Sequence, residues 1–405
     1  MSTTALPTGQ TYAPPAAVGR PADAAAAVPW YIVATALAAT SILAGVVWDI
    51  SWHRTIGRDT FWSPPHLAIY LGGVLGGLSA GYRILRTTFA GSIAERAASV
   101  RVWGFRGPLG AWVSAWGAAA MLTSAPFDDW WHNAYGLDVE ILSPPHTLLA
   151  LGIGGIVAGA TLQALALQNQ SGEARRRLYA TLYAYLGGLA IATACVMATQ
   201  FLLHIRMHSS LFYRVSAMVL PFFLAALSRG GRLRLPATAA AAAYMLFTCA
   251  MIWVLPLWHA EPKLGPIVNR VDHMVPPEFP LLLVVPALAI DLVLRRARED
   301  ELRGWGAWKT ALVLGGAFLV AHAVVQWGFS VFYLRHPLAD TWFFAANEFD
   351  YATDAANTYR GRGEFWPGDA SESAARTGML IAVSYALLSA RIGLAWGDWM
   401  RRVRR

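Results

Sequence analysis

Two stretches of the chain place the same acids and histidines at nearly the same spacing. The first reads Asp49-Ile50-Ser51-Trp52-His53, then Gly57-Arg58-Asp59, then Ser63-Pro64-Pro65-His66. The second reads Asp128-Asp129-Trp130-Trp131-His132, then Gly136-Leu137-Asp138, then Ser143-Pro144-Pro145-His146. Both follow D-x3-H-x3-G-x-D and end in S-P-P-H, the second with one more residue in its turn. On a helical end, residues four apart share a face, so Asp49 with His53 and Asp128 with His132 point the same way. A proline pair suits the first turn of a new helix, which brings His66 and His146 back toward those pairs. One carboxylate and two imidazoles with open positions suit a redox or Lewis-acid metal, and the set serves non-haem iron as well as copper. The competing reading is hydrogen-bonded caps that hold two hairpins together. Two whole copies of the element favour metal.

Other residues could join such chemistry. His204 and His208 are four apart, and on a helix could share a metal, against a role in an interfacial polar belt with Arg206. His259 and His273 are fourteen apart, but the proline pair follows the second histidine, which favours coincidence over a third copy. His322 and Gln326 lie within an apolar run and would face a bundle interior, lining a path or bonding to each other. Cys195 and Cys249 also sit in apolar runs and read as buried thiols without a disulfide framework. No P-loop, GxSxG, HExxH or dinucleotide fingerprint falls in a strand–helix context, and the residues assign no catalytic group.

The elements that must position these residues are membrane helices. The 405 residues are 56% hydrophobic and 14% charged, against about 25% charged for an ordinary soluble domain. About 20 apolar residues cross a bilayer as a helix, and ten stretches qualify: 30–48, 64–86, 108–126, 145–168, 178–203, 211–228, 236–256, 277–295, 309–333 and 376–396. Gly155 and Gly159 supply the small-residue spacing of close helix packing. The expected fold is an all-α, polytopic helix bundle of about ten transmembrane helices behind a disordered tail, 1–28, which lacks the features of a signal peptide.

The loops then set orientation. Those at 83–106, 169–177, 229–235 and 295–309, with the end 401–405, carry most of the arginines. The alternate loops at 49–63, 127–144, 204–214, 257–276 and 334–375 hold most of the 24 acids. The positive-inside rule puts the first set and both termini in the cytoplasm. The net charge of +8 is therefore topological, and no nucleic-acid partner is indicated. Nine of the ten histidines fall in or beside the outer loops, His322 being the exception. Packing alone gives a histidine no reason to choose a side, whereas binding metal or protons does. Loop 334–375, acidic and aromatic, reads as a lid over the histidine face or a docking surface.

The run Asp49-x3-His53-x12-His66, enclosing Arg58-Asp59-Thr60 and Pro65-His66, resembles the first copper-binding motif of the C subunit of particulate methane and ammonia monooxygenases. That subunit's second motif is spaced N-x3-H-x13-H, and Asp128-x3-His132-x13-His146 matches it with Asp in place of Asn. The resemblance is strong over 45–150 and extends to about 230; the last four spans have no counterpart in it. It implies a C-subunit-like membrane domain at 29–230 and additional membrane helices at 231–405. It also implies copper held by Asp49, His53 and His66 and by Asp128, His132 and His146, with iron or zinc as other fits. Asp59 and Asp138 would then support the ligands. Further implied are the inner (plasma) membrane as location, metal sites on the periplasmic side, other membrane subunits as partners, and O2-dependent oxidation of a small apolar substrate. Two rival expectations are a metal transporter or delivery protein and a structural or haem-binding membrane subunit.

Overall fold

The computed structural model describes residues 28–136 and 143–404, so Asp138 and nearly all of the N-terminal tail lie outside the described residues. The described residues are mainly helical: α1 (Trp30–Thr55), α2 (Pro64–Phe89), α3 (Ile93–Ala97), α4 (Leu109–Tyr135), α5 (Pro144–Gln170), α6 (Glu173–Met197), α7 (Ser210–Gly230), α8 (Pro236–Val254), α9 (Val284–Arg296), α10 (Gly304–Arg335) and α11 (Glu372–Met400). One two-residue hairpin, β1 (Val100–Val102) to β2 (Phe105–Gly107), fills the α3–α4 connection. Its turn residues Trp103 and Gly104 both have positive φ, 47° and 90°, as the tight mirror-image turn of a hairpin requires.

Among the described residues, eight helices are long and apolar enough to cross a membrane: α1, α2, α5, α6, α7, α8 with its short extension to Leu257, α10 and α11. The chain is thus a multi-pass membrane protein. Two of the ten expected spans differ. Helix α4 has 27 residues, long enough to cross, but no stretch of it reaches the mean hydropathy of the eight. Helix α9 has 13 residues, about 20 Å at 1.5 Å per residue, too short for a hydrocarbon core of about 30 Å. Its expected first turns, 277–283, are not helical. Pro276, Pro277 and Pro280 remove backbone donors and push each preceding residue toward extended geometry.

Small residues set the helix contacts. In the α4–α5 pair, Gly110 and Gly117 face Gly152, Gly155 and Gly159; a Cβ on Gly110 would stand 2.5 Å from the Gly159 carbonyl oxygen. In the α1–α2 hairpin, a Cβ on Gly45 would meet the Pro65 carbonyl at 2.9 Å, and Gly72 stands as closely against Ala38. Such contacts let backbones touch where no water drives association. Helices α4 and α5 thus confirm the packing expected of Gly155 and Gly159. The outer surfaces of the bundle carry exposed Leu37, Leu71, Leu78, Leu151, Leu246 and Leu380, an apolar coat that suits lipid.

The two parts of the chain on either side of residue 230 interlock, since α7 packs along α11 and α6 along α8. Asp291 of α9 joins them. Fully buried, it accepts from Thr238 N (2.8 Å), Thr238 Oγ1 (2.8 Å), Ala237 N (3.2 Å) and Ser228 Oγ (2.5 Å). It thereby satisfies orphan donors of the α8 N-terminus that would otherwise be buried unpaired.

Candidate metal centres

The first hairpin tip is made by the end of α1 and the start of α2. Helix α1 runs through residue 55, so Asp49 and His53 share one face. Gly57, at φ +83°, lets the chain turn sharply. Trp52 Nε1 donates to the Arg58 carbonyl at 3.0 Å, and Ser63 N to Thr60 O at 2.9 Å, fixing the turn that carries Asp59. Ser63 is then the N-cap of α2, Pro64 and Pro65 follow, and His66 stands in the first turn.

Four side chains meet there. His66 Nε2 lies 3.3 Å from Asp49 Oδ1 and 3.2 Å from Asp59 Oδ2. His53 Nε2 lies 3.8 Å from Asp49 Oδ2 and 3.6 Å from Asp59 Oδ2. His53, then His66, hold the Asp59 carboxyl well below the ordinary carboxylate range.

The second tip repeats the construction. Asp128 and His132 share the last turns of α4, Gly136 turns at φ +99°, and Ser143 caps α5 by accepting from His146 N at 3.4 Å. Asp128 Oδ2 lies 3.4 Å from His132 Nε2, and Asp128 Oδ1 lies 3.3 Å from His146 Nε2. His132 Nδ1 is tied to the Gly136 carbonyl at 3.2 Å. The two tips lie at the same end of the bundle, since Gly73 of α2 faces Met121 of α4 and Gly77 faces Ala118, an antiparallel packing that sets the start of α2 beside the end of α4. Tyr70, one turn along α2 from His66, lies in the field of Asp49 and Asp59 from one tip and of Asp128 and Asp129 from the other.

Whether these donors suit a metal can be tested on their own geometry. Asp49 Oδ1 and Asp128 Oδ1 are buried and make no directed hydrogen bond, although an imidazole nitrogen lies 3.3 Å from each. Donors that point past one another toward a common spot behave this way. Ligands about 2.0–2.2 Å from one ion stand about 3.0–3.5 Å from each other, close to the spacings of both clusters. The donor sets fit a transition metal.

Other sequence candidates are placed elsewhere. His204 and His208 do not pair, because residues 199–206 form short 3-10 turns rather than a helix. His204 Nδ1 meets Glu278 Oε2 at 2.9 Å and its ring stacks on Tyr333, whereas His208 is sandwiched between Trp327 and Phe365. His259 and His273 oppose each other across an isolated antiparallel bridge, with His273 held at 2.7 Å by both Asp272 and Glu348. His322 and Gln326 do not bond to each other. His322 is stacked on Phe212 and Phe318, and Gln326 donates to the Leu281 carbonyl.

Sequence reasoning missed a buried ionic knot beside the first tip. Glu278, Arg360 and His204 converge there, Arg360 also donating to the Glu348 carbonyl at 2.8 Å. Arg54, the residue after His53, donates to Pro276 O at 2.7 Å. The signal was a single acid, Glu278, in a proline-rich apolar run read as part of a span. Loop 334–375, which supplies Arg360 and Glu348, is folded against this end of the molecule, reaching α1 through Tyr351 N to Arg54 O at 3.2 Å.

The fold and the two clusters define a class: a multi-pass helical membrane protein with two histidine–carboxylate groups at neighbouring hairpin tips. No protein-family model matches the chain, and no curated protein and no solved structure matches it.

Proposed function

We propose that this is an integral-membrane metal-binding protein that holds copper at its two hairpin tips and serves in O2-dependent oxidation of a small apolar substrate. The observation that carries the reading is the repeated convergence of one motif: at each tip one acid, Asp49 or Asp128, lies 3.3–3.8 Å from the Nε2 atoms of two imidazoles. The motif's resemblance to the monooxygenase C subunit supports copper over iron or zinc. The arginine-rich loops lie at the opposite ends of these helices, and the positive-inside rule then puts both tips at the outer face of the plasma membrane. Copper held there would supply one-electron and O2 chemistry. The chain's part is to fix the donors: helix ends set Asp49, His53, Asp128 and His132, and proline-started helices return His66 and His146. The bilayer gives an apolar substrate its route, and other membrane subunits complete the assembly.

A transporter reading needs a polar path through the bundle. His322, the residue that would mark one, is sealed between phenylalanine rings, which supports resident rather than transported metal. Haem ligation would call for histidines facing each other within spans, whereas these six ligands sit at span ends.

The test is metal content with electron paramagnetic resonance on wild type, His53→Ala and His132→Ala. Each variant is expected to lose one of two copper equivalents. Unchanged copper in both variants would refute the assignment.

A further inference from the structure

The resemblance gives the first tip three ligands and leaves Asp59 as a supporting acid. The geometry points to a different role: we propose that Asp59 is itself a ligand. The first tip is then a centre of two imidazoles and two carboxylates, and it takes a divalent transition-metal ion in preference to a monovalent one. This inference rests on the metal-binding reading above and deepens it.

Asp59 relates to the two imidazoles as Asp49 does. Its Oδ2 is 3.2 Å from His66 Nε2 and 3.6 Å from His53 Nε2; Asp49 stands at 3.3 and 3.8 Å from the same atoms. Side-chain exposure is alike as well, 25% for Asp59 and 23% for Asp49. Single donor atoms of Asp49, His53 and Asp59 all fall within 4.8 Å of one another.

The nitrogen that Asp59 addresses is the decisive point. A carboxylate that merely orients a ligating histidine sits at the ring nitrogen the metal does not use. Asp59 instead faces Nε2 of both rings, the side Asp49 also faces, while His66 Nδ1 is buried without a partner. The turn delivers Asp59 there deliberately, pinned by the bond from Trp52 to Arg58 before it and by that from Ser63 to Thr60 after it.

Charge then selects the ion. Two carboxylates neutralise a divalent cation, whereas a monovalent ion leaves the half-buried cluster with one unbalanced negative charge, which is costly away from bulk water. Removing the Asp59 charge should therefore weaken copper(II) more than copper(I).

The experiment uses full-length protein in nanodiscs, stripped of metal, in a His132→Ala background that silences the second tip. Copper(II) and copper(I) are titrated into that parent and into the added variants Asp59→Asn, Asp59→His and His53→Ala. The parent should show two coupled nitrogens in its copper(II) spectrum. Asp59→His should still bind and show a third, a change that loss of a supporting acid cannot produce. Asp59→Asn, nearly isosteric, should lose at least about tenfold in copper(II) affinity, a loss that a supporting acid also gives, and clearly less for copper(I). The third nitrogen in Asp59→His is therefore the deciding readout, and its absence overturns the ligand role. If His53→Ala removes the signal while both Asp59 variants keep two nitrogens and copper(II) affinity within about threefold of the parent, Asp59 is not a ligand and this inference falls alone. If His53→Ala also keeps the parent's spectrum and affinity, the metal reading of the first tip falls with it.

Discussion

At the first tip, the last carbonyls and side chains of α1 are gripped by segments from far along the chain. Val275 N donates to Thr55 Oγ1 at 2.8 Å, Lys263 N to Ile56 O at 2.9 Å and Tyr351 N to Arg54 O at 3.2 Å. At the second tip, among the described residues, the bonds are local: Gly136 N to His132 O at 2.9 Å and Asn133 Nδ2 to Asp129 O at 2.9 Å, with Trp130 and Tyr135 exposed. Yet both clusters converge to the same spacings. Convergence therefore belongs to the motif itself, to helix phase, a glycine turn and a proline-started return. Bracing is a separate property, added among the described residues to the first tip by residues 258–283 and 336–371. A helix end leaves carbonyls without intrahelical partners, and the brace supplies those partners to α1.

The comparison can be broken most severely at Glu278. Replacing it with alanine leaves the buried Arg360 without its counter-charge, a change that costs about 3–5 kcal/mol when a buried pair is cut on one side. Unfolding in detergent should show that loss, and metal should weaken at the first tip while the second keeps its full equivalent. Equal loss at both tips would mean the brace is not specific to the first.

Acid should act through the same residue. Burial alone would raise the Glu278 carboxyl, but Arg360 and His204 hold it well below its ordinary range. A carboxyl lowered on folding stabilises fully above its unfolded value of about 4.3, and that contribution drains as pH falls below it toward the lower folded value. For metal-free protein, the stability difference between wild type and Glu278→Gln should be flat at neutral pH and shrink below about pH 4. A difference that stays constant under acid would contradict the pairing.

A smaller effect is expected at Thr55→Val, which deprives the buried Val275 N–H of its acceptor for about 1–3 kcal/mol. Chemical denaturation would read it, and hydrogen exchange at Val275 should speed up. The smallest belongs to Asn133→Ala at the open tip, whose exposed local bond should change stability by less than about 0.5 kcal/mol. A large effect there would show that the second tip is braced after all.

Much of this was legible in the chain. Apolar runs announced the bundle, and the spacing of Asp49, His53 and His66 and of Asp128, His132 and His146 announced the clusters, because helix phase and proline placement are local rules. Helix α9 was misjudged since hydropathy counts apolar residues and ignores missing donors at Pro276, Pro277 and Pro280. The pairing weighed for His204 and His208 against an interfacial belt fails because it required a helix where the chain makes 3-10 turns. The knot of Glu278, Arg360 and His204 joins residues as much as 156 positions apart, and no local pattern encodes such a contact. Asp59 lay within the motif throughout; which nitrogen it faces needed three dimensions.

The most direct measurement is a structure of the copper-loaded protein with anomalous scattering recorded at the copper edge. The account predicts two peaks, one within about 2.0–2.2 Å of donors from Asp49, His53 and His66 and one at the same range from Asp128, His132 and His146. Copper found elsewhere in the bundle, or both tips empty in protein that binds copper, would contradict it.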